Sequence, residues 1–238
     1  MTAIVAVSRR RKKVSSEETR WRILTTALAL FREHGFEQTT MRQIAAGSRM
    51  ALGAAYYYFP SKDALVLAFY EQAQEQLRPL LAEALAAKSL ERRLSALLET
   101  KFRYFQPNRS LLAVLSRHID PRHPLSPFGG ATKPIRDRDI KTFAEALEGS
   151  NVRVPPDLKP HLPRLLWFYQ MGLLLFWFFD VSEGQVRSRQ LLEKSLTIIV
   201  LLIKLSGFPF LRSLRKRVVD LIVAVSGEPS LSTGGGVA

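Results

Sequence analysis

Four stop and start signals fall between residues 35 and 61: Gly35, Thr40, Pro60 and Ser61. They divide that stretch into helices too short to stand alone in water, so the segment must fold as a packed cluster or not at all. Upstream, Ile23, Leu24, Ala27, Leu28 and Phe31 recur at helical spacing. Ser15 and Glu18 offer a capping box for that helix. Gly35 followed by Phe36 reads as its C-cap with an apolar residue beyond. Thr40 caps the next helix, MRQIAAGS, with Gln43 as its box partner. After a break at 48–50 a third helix runs through Phe59, where Pro60 stops it. Ser61 caps a long fourth helix, from Lys62 to about Ala87, with Pro79 as a candidate kink.

Beyond it the sequence predicts helices over roughly 89–105, 109–119, 132–148, 162–181, 185–206 and 208–225. Pro- and Gly-rich breaks such as PRHPLSPFGG and SNVRVPPDLKP separate several of them. There is no alternating strand pattern of useful length and no internal repeat. The expected fold is all-α. Residues 1–14, with RRRKK at 9–13, are expected to be a basic disordered arm, and 227–238 a disordered tail.

The chain has 238 residues, 47% of them hydrophobic, which suffices for a sizeable core. Its net charge is +14, which favours an anionic polymer or surface as partner. The charge is uneven. Residues 1–70 hold 11 Lys/Arg and 5 Asp/Glu, while the other 168 hold 24 and 16, so the front is the more densely positive part. With no cysteine the chain has no disulfide, thiolate metal site or cysteine nucleophile. In MTAIVAVSRRRKK the apolar run precedes the charges, the reverse of a secretory signal, so a cytoplasmic location is expected. The apolar run at 165–179 is shorter than a bilayer needs and is interrupted by Gln170. It reads as a buried helix, with a membrane segment as the alternative.

Three consecutive tyrosines, Tyr56, Tyr57 and Tyr58, decide what the third helix does. On a helical wheel Ala55 and Phe59 point inward, and Tyr56 and Tyr58 fall about 80° to either side. Tyr57 points directly outward, as do Gly53 and Ala54. A helix built for stability alone would not expose glycine, which costs about 1 kcal/mol against alanine. A helix pressed against another surface would, because small residues allow close approach. Phenols can touch thymine methyls with their rings and donate to phosphate oxygens. Lys62 opposes the dipole of the helix it begins, which a phosphate contact would justify. A short helix, a turn and a second short helix form the helix-turn-helix plan, whose second helix enters the major groove. The competing reading of the tyrosines is a packing face between helices.

Residues 17–66 resemble the DNA-binding domain of the tetracycline-repressor (TetR) family of bacterial transcription regulators. The resemblance is carried by Ala27, Phe31, Gly35-Phe36, Thr39-Thr40, Ile44-Ala45 and the run GAAYYYFPSKDAL from Gly53 to Leu65. It implies a dimeric, all-helical repressor, with a three-helix helix-turn-helix domain at 15–66 and a ligand-binding and dimerisation domain at 67–226. By that similarity Thr39 and Thr40 meet phosphates and Arg42 reaches the groove or its edge. Gly53, Ala54 and Tyr56 approach bases, and Tyr57, Tyr58 and Lys62 hold the backbone. The chain departs from the family at Arg49, where a turn glycine is usual, at Ala51, where Ser or Thr usually caps, and at Ala55, where a larger aliphatic is usual. Gly47 is a candidate shifted turn residue, and Arg49 a candidate extra phosphate contact.

The resemblance also implies a homodimer through the helices near 162–181 and 185–206, where Gly172 would permit close packing, and a small apolar or amphipathic effector. The helix from Lys62 joins the two domains and is the expected lever between them. Candidate effector contacts are Phe102, Phe105, His118, Trp167, Gln170 and Met171, against a competing role for each in the core. His34, His118, His123 and His161 show no metal spacing, and no metal or other cofactor is expected. No phosphate-binding loop, dinucleotide fingerprint, nucleophile elbow or zinc-protease motif is present, so no enzyme is expected. The alternatives are a ligand-independent architectural DNA-binding protein and a membrane-associated basic helical protein. Operator, regulated genes, effector and sign of regulation are not readable from the residues.

Overall fold

The computed structural model describes the backbone of residues 2–226 and the side chains of residues 15–224. Among them are ten α-helices and no strand: α1 (Thr2–His34), α2 (Met41–Gly47), α3 (Leu52–Tyr58), α4 (Lys62–Ala84), α5 (Leu90–Phe105), α6 (Arg109–Leu115), α7 (Lys133–Glu148), α8 (Leu162–Phe179), α9 (Val186–Leu205) and α10 (Arg212–Ser226). The all-α expectation holds, and each predicted helix is found within a few residues of its expected bounds, except at the N-terminus.

There the disordered arm expected at 1–14 is instead the first part of α1, which runs unbroken from Thr2 to His34. No proline or glycine interrupts these residues, and arginine and lysine are good helix formers. The capping box expected at Ser15 and Glu18 is therefore not a helix start. Ser15 lies inside the helix, and its carbonyl accepts from the Thr19 hydroxyl at 2.8 Å. The tail expected at 227–238 lies outside the described residues.

The chain forms two compact units, one comprising residues up to Leu80 with Lys101–Arg138, the other Leu81–Thr100 with the residues from Asp139 on. This division differs from the expected boundary at 66/67. The boundary falls inside α4 beside Pro79, which removes one backbone donor from that helix.

In the first unit, Ile23, Ala27 and Phe31 of α1 are buried with Ile44 and Ala45 of α2, Ala55 of α3, Phe59 and Leu65. α1 ends at Gly35, whose φ of +84° only glycine adopts without strain. Phe36 then folds back onto Phe31, ring centroids 5.1 Å apart.

In the second unit, Leu90, Leu94, Phe143, Leu166, Trp177, Leu192 and Leu196 are among the buried residues. α8 packs on α9, and the Tyr169 hydroxyl lies 2.7 Å from the Ser195 hydroxyl. α8 is long and apolar enough to cross a membrane, and 44% of it is buried. Its inner side carries a polar commitment. Gln170, 1% exposed, donates to the Asp139 carboxylate at 3.0 Å. Its outer side shows Leu165, Phe168, Leu175, Phe176 and Phe179, a stripe at three- and four-residue spacing.

Candidate nucleic-acid interface

α2 begins with the expected capping box. The Gln43 backbone N–H donates to the Thr40 hydroxyl oxygen at 3.3 Å, and the Thr40 N–H donates to the Gln43 side-chain carbonyl at 2.8 Å. Two otherwise orphaned donors are satisfied, which lets a seven-residue helix start sharply. At its end, Gly47 lies so close to α1 that a β-carbon there would sit 2.9 Å from Thr26 Cγ2. Gly47 therefore serves the close approach of α2 to α1 and is not a shifted turn residue. The turn is carried by Arg49 itself, at φ +56°. The turn keeps the geometry that usually takes glycine and holds an arginine in it.

α3 starts at Ala51, which is extended and makes no side-chain cap bond. The helix presents the face the wheel predicted. Ala55 is 0% exposed and Tyr57 83%; Tyr56 and Gly53 are exposed, and Ala54 and Tyr58 are half-buried. The Tyr57 and Tyr58 rings meet edge to face at 5.3 Å, which orients the fan. The Ser16 hydroxyl donates to the Tyr58 hydroxyl at 3.4 Å. Arg42 and Arg49 are both exposed on the same helix-turn-helix.

Two of the expected phosphate contacts have other partners. Thr39 is 1% exposed, and its hydroxyl donates to the carbonyls of Gly35 at 2.8 Å and Leu30 at 3.3 Å. It fastens the loop after α1 and presents no hydroxyl to solvent. Lys62 donates to the carbonyls of Phe36 at 2.7 Å and Glu37 at 3.2 Å, with its ammonium 4.6 Å from the Phe36 ring centroid. These carbonyls explain a lysine in the first turn of α4 without a phosphate. The Ser61 hydroxyl, which accepts from the Ala64 N–H at 3.1 Å, provides the cap expected there. Sequence pattern alone could not find either role, because both depend on how the loop after α1 folds back.

The expected effector residues are divided between the two units. Phe102, Phe105 and His118 belong to the first. Phe102 is buried, and the Phe105 ring packs edge to face on Phe69 at 6.2 Å. His118 stacks on His123 at 3.8 Å, and its Nε2 is buried without a hydrogen-bond partner. Trp167, Gln170 and Met171 belong to the second unit, where Trp167 is buried and Gln170 is held by Asp139. No group of three or more metal-binding side chains occurs among the described residues.

The helix-turn-helix with its exposed aromatic fan defines a class of regulatory DNA-binding domains, and comparison with known proteins agrees. Residues 23–69 match the model of the bacterial regulatory proteins of the tetR family, and residues 93–221 match the tetracyclin repressor-like C-terminal domain. The second match covers more than half of the chain, which belongs to the tetR family.

The chain is 36% identical over 78 residues to the "Probable acrEF/envCD operon repressor" of Escherichia coli, covering 33% of this chain and 35% of that protein. It is 36% identical over 64 residues to the E. coli HTH-type transcriptional regulator UidR, covering 27% of this chain and 33% of the relative. The chain thus spans about a third of the length of these relatives. Among solved structures, Salmonella enterica GusR superposes with a TM-score of 0.55 at 25% identity, covering 77% of this chain and 95% of that one. The family and these named relatives are regulators, not enzymes.

Proposed function

We propose that the protein is a sequence-specific DNA-binding transcriptional regulator that acts as a repressor and is released from its operator by a small apolar or amphipathic ligand. The observation that carries this reading is the outward face of α3: exposed Gly53, half-buried Ala54, and the fan of Tyr56, Tyr57 and Tyr58 on a helix anchored from behind by Ala55 and Phe59. Gly53 and Ala54 let the helix approach base edges, and Tyr56 reaches into the groove. Tyr57, Tyr58, Thr40, Arg42 and Arg49 supply phosphate contacts at its rim. Thr39 and Lys62 support the domain from within.

The working unit is a homodimer formed through α8 and α9. The outer stripe of α8 is matched by exposed Leu191, Ile198 and Leu201 on α9, also at three- and four-residue spacing. Gly172 lies in the middle of the α8 stripe with open space around it, so nothing among the described residues requires a glycine there. A helix from a second copy would. Two α3 helices then meet successive major grooves about 34–36 Å apart. The effector favours a state in which that spacing is lost, and it does so only by binding that state better.

The test is replacement of Tyr57 by Ala in the full-length protein, with operator affinity and melting temperature measured together. Loss of affinity at unchanged melting temperature supports the reading. Unchanged affinity for a specific site removes α3 as the recognition helix.

A further inference from the structure

α10 follows α9 after a short turn and leaves it at 97°. No described side chain of α10 is buried. Arg215, Val219, Ile222 and Val223 are half-buried, and the rest are exposed. A helix of 15 residues is marginal in water by propensity alone and depends on cover over an apolar face. Its own chain leaves one such face bare. Phe210, in the turn just before α10, is 75% exposed, and Leu214, Val218 and Leu221 are exposed as well. Their spacing of four, four and three residues puts them in one stripe, on a different side of the helix from the half-buried residues.

The angle of α10 is fixed by one side chain. Arg215, whose side chain is 14% exposed, donates through Nε to the Asp157 carboxylate at 2.7 Å and through Nη1 to the Ser206 carbonyl at 2.6 Å. Ser206 closes α9 and Asp157 precedes α8, so a single guanidinium ties α10 to the ends of both helices. The bare stripe also continues the α8–α9 seam. Ile198, Leu201 and Leu202 are exposed near the end of α9, and Phe208 is exposed in the turn, its ring 5.7 Å from that of Phe210. Exposed apolar residues thus run from the seam through the elbow onto α10. An anionic bilayer is the competing occupant, because Arg212, Lys216 and Arg217 are exposed on the same helix. A helix lying in a bilayer surface needs no fixed angle to its neighbour, whereas one that fits a second protein surface does. The lock at Arg215 and the continuity with the seam favour a protein surface, and the seam already assigns it to a second copy.

We infer that the stripe from Phe210 to Leu221 docks on the second copy of this chain, so that α10 is a clasp added to the α8–α9 seam and Arg215 is the residue that positions it. The inference rests on the dimer proposed above, in which each copy offers the same patch to the other.

It is tested by sedimentation equilibrium of the full-length protein without DNA, with circular dichroism to show that each variant is folded. Leu214→Ser combined with Val218→Ser should weaken the dimer about tenfold or more. Arg215→Gln should weaken it too, but should add little to that pair, because both changes remove the same contact. The chain has no cysteine, so Leu221→Cys carries a single polarity-sensitive fluorophore. Its emission should shift to the blue over the concentration range in which the dimer forms. Gly172→Leu is measured in parallel. Weakening by Gly172→Leu alone, with the α10 variants as dimeric as wild type, overturns the clasp and leaves the α8–α9 seam standing. Weakening by the α10 variants alone supports the clasp and removes the seam. Wild-type binding to phosphatidylglycerol vesicles that the α10 variants lose, at unchanged dimerisation, would assign the stripe to a bilayer and overturn the inference.

Discussion

Arg49 stands in the turn between α2 and α3 at φ +56°, where a side chain costs about 1–2 kcal/mol relative to glycine. Arg49→Gly should therefore raise the unfolding free energy by about 1 kcal/mol in denaturant melts. If Arg49 also meets a phosphate, the same change flattens the salt dependence of DNA binding by about one ion. Ala51→Ser should add about 1 kcal/mol by supplying the missing cap of α3.

Asp180 behaves differently because it is charged. Hydrogen bonds from the hydroxyls and backbone N–H groups of Ser182 and Ser188 hold its carboxyl well below the usual carboxylate range. Its folded value lies below its unfolded value of about 3.9, so its contribution is present above that pH and is lost as pH falls further. The stability gap between wild type and Asp180→Asn should be full at pH 7 and should close below about pH 4. A gap that did not change with pH would mean that Asp180 holds the start of α9 by shape alone.

The short helices were legible in the sequence because their signals are local. Gly35, Thr40 with Gln43, Pro60 and Ser61 each mark a boundary through the backbone they require or forbid, and the structure uses all four. The inward face of α3 was legible for the same reason, since Ala55 and Phe59 lie four residues apart. What could not be read were roles set by neighbours distant in sequence. Gly47 looks like a turn residue until Thr26 is found against it, and Lys62 looks like a phosphate ligand until the loop carbonyls of Phe36 and Glu37 are found beneath it. The signal at Ser15 and Glu18 failed because a cap pattern does not end a helix whose preceding residues are themselves helix formers. α8 carries the prediction at this scale. Gly172→Leu meets open space within one chain, so the monomer should tolerate it, but it should shift the protein from dimer to monomer in sedimentation experiments. A variant that stayed dimeric would place the interface elsewhere.

A chain of +14 binds any DNA to some degree, so affinity alone says little about the molecule as a regulator. Specificity requires both the face of α3 and the pairing of two such faces at one turn of DNA. The measurement that bears most directly on this is binding of the full-length protein to the DNA around its own coding region, against scrambled DNA of equal length, over a salt series, with Tyr56→Ala alongside. The account predicts that wild type prefers one site by about a thousandfold or more, with a steep salt slope, and that Tyr56→Ala loses most of that preference while keeping the weak binding to scrambled DNA. Wild-type binding that ignores sequence at every salt concentration, or a Tyr56→Ala variant as selective as wild type, would contradict it.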